Sequence, residues 1–194
     1  MILLIDNYDS FTHNLAQLIE TEQEVVVVRN DDEKIYQLAE QARAIVISPG
    51  PGRPNEAGEI KKVIQKFYQI KPILGICLGH QAIGEVFGAQ ISSAQQIRHG
   101  KQSMISIREK NQLFQGIEKN TAVMRYHSLI IEPQTLPSEF TITAIADDDQ
   151  EIMAIEHKIY PVFGFQFHPE SIGTLEGQTM IKNFIQLTEE RSNE

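Results

Sequence analysis

Residues Pro72–Gly79 read PILGICLG, and the change of character inside this stretch decides the fold. Ile73, Leu74 and Ile76 form a short apolar run of strand type, Cys77 interrupts it, and a helical pattern opens at Leu78. A strand, a tight turn and a helix in that order make a nucleophile elbow, and GICLG is the thiol counterpart of GxSxG. Gly75 and Gly79 are expected because the turn crowds the backbone, so a side chain at either position would clash with a neighbouring strand or helix. The oriented amides of the helix start favour a thiolate. A lone cysteine is also commonly a small buried hydrophobe, so the elbow alone leaves catalysis and packing both open.

Working outward, ILLID, EVVVV, RAIVIS and PILGI read as strands separated by amphipathic segments, the rhythm of βαβ units. The clearest helix follows Ala57–Gly58 and places Ile60, Val63, Ile64, Phe67 and Ile70 on one stripe. Another begins near Asp9 or Ser10, either of which can cap it, and buries Leu15, Leu18 and Ile19. Beyond Ala89 the pattern turns to SMISIRE, TAVMRYH, FTITAIA, EIMAIEH and VFGFQF, strands with short connections that suit antiparallel pairing. Asp147–Gln150 reads as a solvated hairpin turn, lacking the ligand spacing of a calcium loop. A last helix over 174–190 presents Met180, Ile181, Phe184 and Ile185 to the core. The expected fold is α/β: an open, mostly parallel central sheet flanked by helices, flavodoxin-like, with an additional small antiparallel sheet. Without repeats or linkers, residues 1–194 read as one domain.

The 194 residues carry a formal net charge of −9 and 41% hydrophobic residues, which argues against nucleic acid or an anionic membrane surface as partner. No apolar run approaches the roughly 20 residues of a membrane span, and the start lacks a basic leader. The expected location is therefore cytoplasmic. One cysteine forms no internal disulfide, and the Cys/His spacing gives no metal site.

A nucleophilic thiol needs a base, and the histidines are His13, His80, His99, His127, His157 and His168. Only His168 follows an apolar strand at its carboxyl end, where open α/β sheets place their sites. Pro169 biases His168 toward extended backbone, and residues two apart in an extended chain share a side. Glu170 is thereby set beside the imidazole, to accept its N–H and leave the other nitrogen free for the thiol proton. After a third apolar strand comes SPGPG, Ser48–Gly52, a rigid loop whose backbone can approach a ligand closely. Its amide and that of Leu78 would make a two-donor oxyanion hole.

DNYDSFTHN, SPGPGRPNEAG, GICLGHQAIG, YHSL and FQFHPES together resemble the class I, triad-type glutamine amidotransferases, in particular the glutaminase subunits of anthranilate synthase and aminodeoxychorismate synthase. The resemblance covers essentially the whole chain. It implies Cys77 as nucleophile, His168 as general base and acid, Glu170 as orienter, and Gly52 and Leu78 as oxyanion amides. It further implies that L-glutamine is held by Gly50, Pro51, Gly52, Gln81, Ser128 and Leu129, and that ammonia passes to a chorismate-using synthase subunit in a hetero-oligomer. No cofactor is implied in this subunit, and any magnesium belongs to the partner. His13 stands where the family more often has tyrosine, away from the triad. Residues 98–102 read as a polar loop, and the resemblance suggests contact with the partner. Two other readings stand beside this one: a stand-alone cysteine hydrolase such as a γ-glutamyl hydrolase, and a flavodoxin-like binding module whose thiol is merely packed.

Overall fold

The computed structural model describes residues 1–108 and 111–190. Its centre is a nine-stranded sheet in the order β2-β1-β3-β4-β11-β10-β9-β6-β7. Strands β1 (Ile2–Asp6), β2 (Val25–Arg29), β3 (Ala44–Ile47), β4 (Ile73–Ile76) and β11 (Val162–Phe165) run parallel. On the far side of β11, β10 (Ile152–His157), β9 (Phe140–Ala146), β6 (Lys101–Ile107) and β7 (Asn120–Arg125) continue it antiparallel. The late strands therefore extend the central sheet. The small separate antiparallel sheet pairs two segments that the apolar pattern does not mark, β5 (Ile91–Ser93) and β8 (Leu129–Ile131). Of the strand expected over 103–109, residue 109 lies outside the described residues.

Strands β1, β3 and β4 are buried throughout, as parallel strands covered on both faces must be. Alternate residues divide between two cores. Leu4, Val46 and Leu74 face α1 (Thr12–Glu20) and α5 (Gly177–Glu190), meeting Leu15, Met180 and Phe184. Leu3, Ile45 and Ile73 face the opposite layer of α2 (Ile35–Gln41), α3 (Ile60–Phe67) and α4 (Leu78–Val86), meeting Ala39, Ile64 and Ile83.

The stripe on α3 holds for Ile60, Val63, Ile64 and Phe67, each at most 1% exposed. At roughly 1.5–3 kcal/mol per buried side chain this face is enough to dock the helix. Ile70 lies beyond the helix end at Tyr68 and is 70% exposed, so it does not join the stripe. Helix α1 starts at Thr12 after Phe11, and neither Asp9 nor Ser10 is its cap residue. Asp9 instead accepts from the Phe11 N–H at 2.8 Å, and Asp6 accepts from the Thr12 hydroxyl at 2.7 Å, fixing the turn before the helix. Leu15 and Ile19 are buried and Leu18 is only partly so. Among the described residues no helix is long and apolar enough to cross a membrane.

Candidate active site

The carboxyl ends of β1, β3, β4 and β11 open on one rim, where open parallel sheets carry their ligands. Cys77 leaves β4 with φ 50° and ψ −98°, a conformation that costs a non-glycine residue about 1–3 kcal/mol and persists only where packing enforces it. Packing does enforce it. A Cβ on Gly75 would sit 2.4 Å from the Gly79 carbonyl, and one on Gly79 would sit 2.6 Å from the Ile47 carbonyl. Strand β4 and helix α4 thus approach at backbone contact, and the Cys77 N–H donates to Phe165 O at 2.7 Å. Cys77 lines a cavity of about 160 Å³ together with Gly50, Pro51, Gly52, Gln81, Tyr126, His127, Ser128 and Leu129. A larger hollow of about 520 Å³ lies around Gln112–Ile117, but no described residue of its wall is titratable.

The proline–glycine loop forms one wall. Asn7 ties it down: its N–H donates to Ser48 Oγ at 2.9 Å and its side chain donates to Ser48 O at 2.8 Å. Gly50 packs on Asn7 and on Leu78 so closely that a Cβ would fall 2.5 Å from Asn7 Cβ. Gly52 turns back at φ 75°. Leu78 is the first residue of α4, where backbone amides have no partner within the helix.

The imidazole arrives from β11. Its Nδ1 lies 2.6 Å from Glu170 Oε1, with both side chains buried. The contact is the one expected, but the backbone route differs: Pro169 and Glu170 form a turn in which the Ser171 N–H donates to His168 O at 3.3 Å. The turn brings the carboxylate back over its neighbour, as an extended pair would also do. The rings of Tyr126 and Phe11 pack edge-on at 4.9 and 6.1 Å between centroids. Burial alone would depress the His168 pKa. Its two polar neighbours, the Cys77 sulfur and the hydrogen-bonded Glu170 carboxylate, outweigh it and raise the value to about 10. Nε2 has no hydrogen bond of regular geometry, so thiol and ring are near neighbours rather than a closed pair.

A family model, glutamine amidotransferase class-I, matches this chain over residues 3–187. The chain belongs to that family. It is an enzyme family, and the small packed-thiol module is set aside with this result. Among curated relatives, anthranilate synthase component 2 of Lactococcus lactis is 51% identical over the full length of both chains. The aminodeoxychorismate/anthranilate synthase component 2 of Bacillus subtilis is 48% identical with 96% of each covered. Aminodeoxychorismate synthase component 2 of Klebsiella aerogenes is 48% identical, with 95% of this chain and 99% of that protein covered. A solved structure from Thermoplasma acidophilum, provisionally described as part of a GMP synthase, superposes with a TM-score of 0.89 at 27% identity, covering 99% of this chain and 95% of that one.

Within this amidotransferase Gln81 lines the cavity, where the resemblance implies a glutamine contact, while Gln166, the pair Tyr126 and His127, and the burial of the Asp149 side chain escape the sequence reading. Gln81 is buried, and its amide donates to Leu129 O at 2.9 Å and to Gln166 Oε1 at 3.2 Å. Gln166, itself fully buried, donates to the Cys77 sulfur at 3.6 Å. A polar residue inside the apolar run VFGFQF was the available signal. Tyr126 and His127 complete the wall beside Ser128. The acidic stretch is the expected hairpin turn, with Asp147, Asp148 and Gln150 exposed, but the Asp149 side chain is covered. Asp149 and Glu151 are buried against Arg125, and Arg98 bonds Asp148 and Asp149 at 3.0 and 2.7 Å, so residue 98 belongs to an ionic cluster rather than to a free polar loop. Burial pushes the Asp149 carboxyl up, but hydrogen bonds from Arg125 and Arg98 hold it below its ordinary value.

Proposed function

We propose that this chain is the glutaminase subunit of a chorismate-using synthase. The observation that carries the reading is the elbow thiol beside the His168–Glu170 pair, with Cys77 lining a cavity together with Gly50–Gly52, Gln81, Ser128 and Leu129. L-glutamine enters with its carboxamide at Cys77. With the ring charged at neutral pH, the sulfur attacks as thiolate. The amides of Gly52 and Leu78 receive the oxyanion, an arrangement worth roughly 10²- to 10³-fold per donor. His168 protonates the departing ammonia, and a γ-glutamyl thioester remains. His168, now neutral, takes a proton from water, which hydrolyses the thioester to glutamate. Glu170 fixes the ring throughout.

Ammonia reacts only unprotonated, so a dry passage into the acceptor enzyme preserves it. The relatives named above are components of anthranilate and aminodeoxychorismate synthases, which supports a hetero-oligomer with a chorismate-using subunit; we further propose a cytoplasmic location, no cofactor in this chain and any magnesium in the partner. A stand-alone γ-glutamyl hydrolase would instead turn over at full rate without a partner.

Replacing Cys77 by Ser tests the reading. Glutamine-dependent amine formation by the mixed subunits should fall by at least about 10³-fold while ammonia-dependent synthesis persists. Retained glutamine use would remove the nucleophile. The aromatic product formed with each candidate partner, followed by fluorescence, assigns anthranilate or aminodeoxychorismate synthesis.

A further inference from the structure

Gln166 follows the last residue of β11 and stands two residues before His168. It is wholly buried in a run that is otherwise apolar, so the polar atoms of its side chain need partners within the protein. They find them on two sides. Oε1 accepts from Gln81 Nε2 at 3.2 Å, and Nε2 donates to the Cys77 sulfur at 3.6 Å, a length set by the large radius of sulfur.

The direction of this amide is fixed by its neighbours. Leu129 O can only accept, so Gln81 presents its NH2 group there, at 2.9 Å. The second hydrogen of that nitrogen goes to Gln166, which therefore meets Gln81 with its oxygen and keeps its own NH2 for the sulfur. The backbone holds the residue in place, with the Gln166 N–H donating to Met153 O at 2.9 Å.

In the glutaminase cycle the sulfur is an anion twice. It is one before it attacks the carboxamide. It becomes one again when the oxygen of water bonds to the thioester carbon, a proton of that water passes to His168 and the C–S electron pair returns to sulfur. A thiolate accepts a hydrogen bond far better than a thioester sulfur does, so a donor at this point strengthens as the charge develops. Gln166 is out of reach of solvent, and water does not compete for its N–H. His168 alternates between charged and neutral, whereas the amide keeps its hydrogens throughout.

We propose that Gln166 is a catalytic residue of this site: its side-chain N–H, turned toward Cys77 by Gln81, receives the negative charge of the sulfur before attack and again as the thioester breaks. The proposal rests on the glutaminase reading.

The test is the pH profile of alkylation of Cys77, the one cysteine, by iodoacetamide in the full chain. Iodoacetamide reacts with the thiolate and needs no glutamine pocket. Gln166→Met keeps the length of the side chain and removes its N–H. It should move the midpoint of the profile up by about one pH unit, a tenfold change in proton concentration and about the weight of one hydrogen bond to a charged group. The plateau rate at high pH should stay within about threefold, because nucleophilicity rises only as roughly the square root of thiol basicity. If Gln166→Met does not fold, Gln166→Leu takes its place with the same expectation. A folded variant whose midpoint rises by less than about half a unit overturns the proposal, as does a plateau rate raised beyond that threefold, the mark of a loosened pocket and a merely structural glutamine. The glutamine analogue 6-diazo-5-oxo-L-norleucine should label the same thiol in the wild-type chain. A thiol that iodoacetamide labels and the analogue does not would overturn the glutaminase reading and this proposal with it, whereas an unmoved midpoint in a chain that the analogue does label overturns this proposal alone.

Discussion

The two halves of the sheet each place a buried histidine at the candidate site, His127 in the pocket wall and His168 on Glu170, and they build its surroundings by opposite means. On the parallel side position is set by backbone contact: Gly75 on Gly79, Gly79 on Ile47 and Gly50 on Asn7 leave no room for a Cβ. On the antiparallel side it is set by charge, with Arg125 and Arg98 set among Asp148, Asp149 and Glu151. The imidazoles follow suit. His168, against a sulfur and a carboxylate, is raised to about 10, whereas His127, buried beside a guanidinium, is lowered to about 3. Equal burial thus yields a charged ring suited to acid–base work and a neutral one suited to holding a carbonyl.

Removing the charge on one side should have the largest effect on stability. Arg125→Met leaves Asp149 and Glu151 buried without their main cation, a loss of about 3–5 kcal/mol by urea unfolding. Adding Asp149→Asn and Glu151→Gln should recover part of it, because the penalty comes from unpaired carboxylates. A loss under about 1 kcal/mol would show that the cluster is not what holds this half. On the backbone side, Gly79→Ala drives a methyl group into the Ile47 carbonyl. Such overpacking costs about 1–3 kcal/mol, and because the displaced turn carries Leu78, glutamine hydrolysis should fall along with the melting temperature. Full activity in that variant would mean that the elbow tolerates a slack that the contacts deny.

This division explains what was legible in the sequence. Backbone crowding leaves a local mark, since only glycine fits, so GICLG and SPGPG announce the elbow and the loop before any coordinates exist. His168 and Glu170 are neighbours along the chain, so their pairing also could be read. The ionic cluster has no such mark. Arg98, Arg125 and Asp149 come from three separated segments, and their pairing depends on how β6, β7, β9 and β10 stack, which strand propensity leaves open. An acidic turn is usually solvated, as Asp147 and Asp148 are here, and only Asp149 is drawn in by the long-range cations Arg98 and Arg125. Gln166 was missed for the same reason: its amide meets that of Gln81 across 85 residues of sequence.

The protonation contrast also fixes how stability responds to pH. His80, like His127, is lowered to about 3, chiefly by burial; among the described residues neither of its ring nitrogens has a hydrogen-bond partner of regular geometry, and Gly164 leaves just enough room for the ring. In the unfolded chain both residues titrate near 6.5, so below that pH the unfolded state binds protons that the folded state refuses. Their contribution is complete above 6.5 and is lost as pH falls from there toward 3. His168 has the opposite sign, its contribution complete below 6.5 and lost as pH rises through about 10. Between pH 6.5 and 5.5 each of the two neutral rings should subtract about 1 kcal/mol from the unfolding free energy. Replacing His80 by Gln should therefore remove about half of the pH dependence assigned to this pair, whatever it does to stability at pH 7. Urea titrations at the two pH values measure that difference directly, and an unchanged slope in the His80→Gln protein would show that the buried ring accepts a proton after all.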